Sequence, residues 1–145
     1  MLYTAFDSEE TQKIVSDFVM TLSPKEKTAT VVGLYGNLGA GKTTCTQAVA
    51  KVLGVAEKVA SPTFVIMKVY ELTKQKLTHL VHIDTYRMED PSELMLLGWQ
   101  EIIVNPNNLV LIEWPDRVSV IMPEHIKITL KPLENETSRE IEIVV

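Results

Sequence analysis

Cysteine and arginine are scarce in this chain. There is one thiol, Cys45, and there are three guanidinium groups, Arg87, Arg117 and Arg139, in 145 residues. A single cysteine excludes an internal disulfide and matches a reducing compartment. The formal charge is −5 and the lysines are scattered rather than striped. Tight, sequence-independent nucleic-acid binding needs many cations facing phosphates, so direct RNA or DNA binding is not expected. Any nucleic acid that the protein serves would be held by a partner. Long apolar runs are also missing, because Lys, Asp, Glu or Pro interrupts each one, and this excludes a membrane-spanning helix. The opening residues, MLYTAFDSEE, have neither the basic flank nor the apolar centre of a signal peptide. A cytoplasmic protein is expected. Repeats, low-complexity tracts and Ser/Gly linkers are absent too, so residues 1–145 are read as one domain.

What is present alternates between helical and strand-like signals. Ser8 is placed to cap a first helix, in which Ile14, Val15, Phe18, Val19 and Leu22 share one side and Pro24 is a stop. TVVGLY then reads as a buried strand, and KTTCTQAVAKVL as a helix closed by Gly54. FVIMKVYEL and LTHLVHIDTY, joined by TKQK, predict a hairpin. A short helix capped by Asp90, with Pro91 at its start, ends at Gly98. NLVLIEW is a further buried strand, and HIKITLKPL with SREIEIVV predicts a second hairpin across ENET. This order predicts an α/β fold of the P-loop NTPase kind, a mostly parallel sheet with antiparallel edge strands.

Between the first buried strand and its helix lies GNLGAGKTT, residues 36–44. Gly36, four residues, Gly41, Lys42 and Thr43 fit the Walker A pattern in full. Glycines at 36, 39 and 41 let successive backbone N–H groups turn toward phosphate oxygens without a Cβ in the way. The following helix presents its positive dipole end to the same point. Asn37, Leu38, Gly39, Ala40, Gly41, Lys42, Thr43 and Thr44 are therefore the expected phosphate cradle. Lys42 would meet the β- and γ-phosphates, and the Thr43 hydroxyl would ligate Mg2+.

Such a site also needs a carboxylate at the end of a neighbouring strand. LVHID ends in Asp84 and LVLIE ends in Glu113, and strands of one parallel sheet deliver their carboxyl ends to the same rim. The sequence offers both without ranking them; Glu113 is taken as the acid on the Mg2+ side and Asp84 as lying near the metal or γ-phosphate. Ser61 and Thr63, in ASPTF, are read either as a loop that senses the γ-phosphate or as a Pro-fixed strand entry. Tyr86 and Arg87 fall just past the rim, with Arg87 a charge stabiliser, a docking residue or a surface ion pair. His82 is read as packed rather than as a base, Cys45 as a packing residue, and Trp114 as either core or a lid over the nucleotide.

Taken together, GNLGAGKTT, SPTF, HIDTYR, LGWQEI and EWPD resemble the TsaE (YjeE) family in order and approximate spacing, from Gly36 to Asp116. Asn37, Trp99 and Asp116 stand where that family commonly has Asp, an aliphatic residue and Glu. The resemblance implies a slow Mg2+-dependent ATPase of tRNA threonylcarbamoyladenosine formation that resets a TsaB–TsaD partner pair between turnovers. It implies ATP as the nucleotide, Lys42 and Thr43 at phosphate and Mg2+, Asp84 and Glu113 as essential acids, and Thr63 in a switch-like loop. tRNA would be met only through the complex. Two other readings compete. A small nucleoside or nucleotide kinase would need several lid arginines around the transferred phosphate, and three arginines spread along the chain do not provide them. A nucleotide-gated binding module would use ATP only to set conformation.

Overall fold

The structure, a computed structural model, describes residues 1–57, 66–73 and 75–145. Ser61 and Thr63 therefore lie outside the described residues. In chain order the elements are β1 (Leu2–Ala5), α1 (Ser8–Met20), β2 (Thr30–Tyr35), α2 (Lys42–Val52), β3 (Met67–Glu71), β4 (His79–Asp84), α3 (Ser92–Leu96), α4 (Trp99–Ile103) and β5 (Asn108–Glu113). A 3-10 segment (Pro115–Ile121) and the strands β6 (Ile126–Pro132) and β7 (Arg139–Val144) complete the chain.

Seven strands form one sheet in the order β1-β7-β6-β2-β5-β4-β3. The four central strands, β6, β2, β5 and β4, run parallel. Both margins are antiparallel, β1 and β7 on one side and β3 on the other. The expected α/β architecture is borne out, and both expected hairpins form. The sheet is evenly mixed, with three parallel and three antiparallel pairings.

The parallel centre follows from unbroken apolar runs: every residue of β5 is buried, and so is all of β2 except Tyr35. Alternate residues then feed two cores. Val32, Leu34, Leu80, Leu109 and Leu111 face the side that carries α1 and α2. Val31, Val81, Ile83, Val110 and Ile112 face the side that carries α3, α4 and the 3-10 segment. Each fully buried large aliphatic contributes on the order of 1.5–3 kcal/mol. Trp99 is fully buried in the second core, and its indole N–H donates to the Ile121 carbonyl at 3.1 Å. The departure at Trp99 thus fills a packing position, with its one polar group satisfied.

Three local expectations are corrected. Asp7, not Ser8, caps α1: its carboxylate accepts from the Glu10 N–H at 2.8 Å, while the Glu10 carboxylate accepts from the Phe6 N–H at 2.7 Å. This reciprocal pair satisfies two backbone donors, and Ser8 becomes the first helical residue. Gly98, in the left-handed region at φ 88°, ends α3 but also opens α4, a helix the sequence reading lacked. Finally, β1 forms although its first three residues are exposed, because it pairs with the outer edge of β7. A four-residue edge strand carries too little periodicity to be read in advance.

Candidate nucleotide site

The glycine loop lies between β2 and α2, and three of its glycines have left-handed backbone: Gly36 at φ 149°, Gly39 at 80° and Gly41 at 106°. At Gly39 and Gly41 a Cβ would meet no atom within 4 Å, so these two positions border open space. At Gly36 it would meet the Leu130 carbonyl oxygen at 2.7 Å, so close packing against β6 also demands glycine there. α2 starts at Lys42 with no side-chain cap. Its first N–H groups therefore point outward from the helix without the usual internal partner.

Lys42 is buried at the base of this loop, and its ammonium donates to the carbonyls of Gly36 at 2.5 Å and Asn37 at 2.9 Å. The same Nζ lies 3.9 Å from the centroid of the Trp114 ring. Burial holds the Lys42 pKa below the ordinary lysine value, and the negative fields of Glu113, Asp84 and Asp116 oppose that shift. An ammonium already drawn from water and held by two carbonyls and a ring face is available to phosphate oxygens with little further desolvation.

β5 and β4 supply the acids. Asp84 and Glu113 are direct register partners across the parallel pair, so both expected acids reach one rim. Their environments differ. Glu113 is 2% exposed, and both of its oxygens are used. Oε1 accepts from the Thr43 hydroxyl at 2.8 Å, and Oε2 lies 2.6 Å from His82 Nε2. Asp84 is half-buried and accepts from the Tyr86 N–H at 3.0 Å. Of the two acids, Glu113 is the one bonded to the loop threonine.

His82 is fully buried, as a packed histidine should be, but it also contacts a site carboxylate, which the sequence reading did not foresee. A carboxylate only accepts, so Nε2 carries the hydrogen; Nδ1 has no partner among the described residues. The available signal was parity. His82 and Asp84 are two residues apart on β4 and share a face.

Trp114 stands at the rim beside Lys42 rather than in the core. It has φ 59° and ψ 46° and is half-buried; among the described residues it is the one non-glycine residue with positive φ. For a bulky residue this backbone costs on the order of 1 kcal/mol. Thr85 offsets part of that cost, since its one hydroxyl proton is shared between the carbonyls of Trp114 at 2.5 Å and Glu113 at 3.0 Å. The ring lies between Lys42 and Tyr86, whose ring centroid is 4.9 Å away, and Arg117 lies 5.5 Å from the far ring. Arg87 is exposed, with no ion-pair partner among the described residues, so the surface ion pair expected as its duller role is not seen. Asn37 and Leu38 form the exposed tip of the loop, beside exposed Gly39 and buried Ala40.

On the other side of the loop is a cavity of about 150 Å³. It is bordered by Gly41 and Thr44, by Thr11 and Gln12 of α1, and by Thr137 and Arg139. None of these four flanking residues was singled out from sequence, because the topology alone brings α1 and the β6–β7 hairpin to the loop. Cys45 also lines the cavity; burial raises its thiol pKa to about 12.

The model of the family described as "Threonylcarbamoyl adenosine biosynthesis protein TsaE" matches residues 6–141. The tRNA threonylcarbamoyladenosine biosynthesis protein TsaE of Rickettsia prowazekii is 32% identical, over 92% of this chain and 88% of that protein. The Bacillus subtilis protein of the same name is 41% identical, over 72% of this chain and 63% of its own. The crystal structure of Bacillus subtilis YdiB is similar with a TM-score of 0.72 and 30% identity, covering 97% of this chain and 82% of that one. With its fold and most of its length matched together, the chain belongs to the TsaE family.

Proposed function

We propose that this chain is a Mg2+-dependent ATPase of tRNA threonylcarbamoyladenosine formation, with low turnover of its own, that acts on a TsaB–TsaD pair and resets it between turnovers. The observation that carries the reading is the 2.8 Å hydrogen bond from Thr43 to Glu113, which ties the phosphate-binding helix to a strand-end acid. A triphosphate and its metal need both at one point. The TsaE names of the family and of its relatives supply the biosynthetic setting.

The residues fit the groups they would hold. Thr43 and Glu113 offer hard oxygen donors, with the Asp84 carboxylate beside them, which suits Mg2+. When bound, Mg2+ neutralises charge on the phosphate oxygens. Gly39 and Gly41 leave room where a Cβ would stand, and Lys42 brings its ammonium to the same space. The ribose and base are assigned to the open side of the loop beside Thr44, where Thr11 and Gln12 of α1 and Thr137 of the β6–β7 hairpin offer polar partners. Glu113, held from both sides by Thr43 and His82, keeps its carboxylate in one orientation. Asp84, less enclosed, is the acid assigned to orient the attacking water. Tyr86, Arg87 and Trp114 border the rim and are assigned to phosphate or partner contact. The net charge of −5 and the scattered lysines fit a protein that meets tRNA only through its partners in the cytoplasm. Among the described residues no helix is long and apolar enough to cross a membrane.

The test is reconstitution of threonylcarbamoyladenosine formation from tRNA, threonylcarbamoyl donor, TsaB and TsaD, with this chain present or omitted. Product is expected to continue over many turnovers only when the chain and ATP are both present. Equal product without the chain contradicts the proposal.

A further inference from the structure

Arg139 opens β7, nearly one hundred residues after the glycine loop, yet it reaches that loop. Its Nε donates to the Ala40 carbonyl at 3.0 Å, and Nη2 approaches the Gly39 carbonyl at 3.4 Å. Nη1 donates to the carbonyls of Glu136 at 2.6 Å and Ser138 at 2.9 Å, which fixes the guanidinium to its own hairpin. One planar group therefore grips two loop carbonyls while it is anchored at two others. A lysine, a single point charge on a flexible stem, cannot reproduce this.

The two gripped carbonyls belong to the peptide units that end in the N–H groups of Ala40 and Gly41. In a trans peptide the C=O and N–H point in opposite directions within one rigid plane, and no peptide bond here is cis. Fixing a carbonyl on the hairpin side thus aims the matching N–H the other way. The Ala40 N–H is already used inside the loop, donating to the Asn37 carbonyl at 3.0 Å. The Gly41 N–H has no acceptor among the described residues, and Gly41 borders open space. At φ 106°, a backbone that glycine holds loosely, the direction of that N–H needs an outside constraint.

We infer that Arg139 is a positioning residue for the phosphate loop: it pins the Ala40–Gly41 peptide from behind, so that the Gly41 N–H is aimed at a phosphate oxygen before any nucleotide arrives. This rests on the triphosphate-binding reading of the loop. It assigns to the C-terminal hairpin a part in phosphate affinity, and it makes Arg139 act through the backbone rather than by touching the ligand.

The test compares wild-type protein with Arg139→Lys and Arg139→Ala in two measurements. The first is the affinity for ATP and for inorganic tripolyphosphate, which lacks base and ribose. The second is the amide spectrum of the ligand-free protein, read at Gly41 and Ala40 by 15N NMR, with thermal melting to establish that each variant is folded. Losing two carbonyl hydrogen bonds should weaken both ligands alike, by about tenfold for the alanine variant and less for lysine. The Gly41 amide signal should shift or broaden in both variants without ligand. Unchanged affinities overturn the inference. So does a loss confined to ATP, which would make Arg139 a direct base or ribose contact. Equal losses with an unmoved Gly41 signal overturn it too, in favour of simple charge attraction, as does a lysine variant indistinguishable from wild type. If the wild-type protein binds neither ligand, the triphosphate reading fails instead, and the Gly41 signal still reports on Arg139 alone.

Discussion

The glycine loop has two walls of different construction. The inner wall is parallel sheet: Glu113 and His82 project from β5 and β4, both essentially without solvent exposure, and bond to Thr43 and to each other. The outer wall is antiparallel margin and helix start: Arg139, Thr137 and Gln12 are half-buried or exposed and border an open cavity. Strands buried on both faces hold a carboxylate rigidly, which suits groups that must be aligned for a reaction. A two-stranded margin can adjust by small amounts, which suits groups that only grip. Under the proposed function, this difference predicts that the inner wall governs turnover and the outer wall governs affinity.

The largest expected effect comes from the residue under both walls. Lys42→Ala should lower hydrolysis by about 10²–10³-fold or more, with nucleotide binding weakened as well, because one charge on the developing phosphate charge is lost. Next is Glu113→Gln, nearly isosteric, which should reduce kcat by about a hundredfold while ATP affinity stays within a few-fold. The counterpart on the outer wall, Thr137→Ala, should change ATP affinity a few-fold and leave kcat unmoved. If Thr137→Ala lowers kcat instead, the division between the walls breaks.

A smaller effect separates the glycines, measured by thermal or denaturant unfolding. Gly36→Ala drives a methyl to within 2.7 Å of the Leu130 carbonyl and should destabilise by about 2–3 kcal/mol. Gly39→Ala meets no atom within 4 Å and should cost only the left-handed backbone, about 1 kcal/mol. The smallest concerns Cys45, whose thiol pKa is raised by burial to about 12. Thiol reagents should label it at neutral pH only after unfolding. A raised folded value also means that its contribution to stability is intact below the ordinary thiol value of 9.0 and fades as pH climbs toward 12.

The inner wall was readable from sequence and the outer wall was not, for a physical reason. Glycine spacing, the Lys42–Thr43 pair and the acids ending LVHID and LVLIE are local patterns, and parallel strands carry their ends to one rim by construction. Which acid bonds Thr43 depends on register and facing, so Glu113 and Asp84 were separated only by the coordinates. His82 looked like packing because its partner is on another strand. Arg139 lies 99 residues beyond Ala40 and Gln12 belongs to α1 before β2, so both meet the loop through topology alone. The strand β1, the second turn of helix after Gly98 and the Asp7 cap were missed because each is short and set by a neighbour.

The most direct measurement is ATP hydrolysis by the purified protein, alone and with TsaB and TsaD, beside the Lys42→Ala variant. Hydrolysis should rise when the partners are added and vanish in the variant. Hydrolysis that survives loss of Lys42, or a γ-phosphate that passes to a nucleoside in place of water, would contradict it.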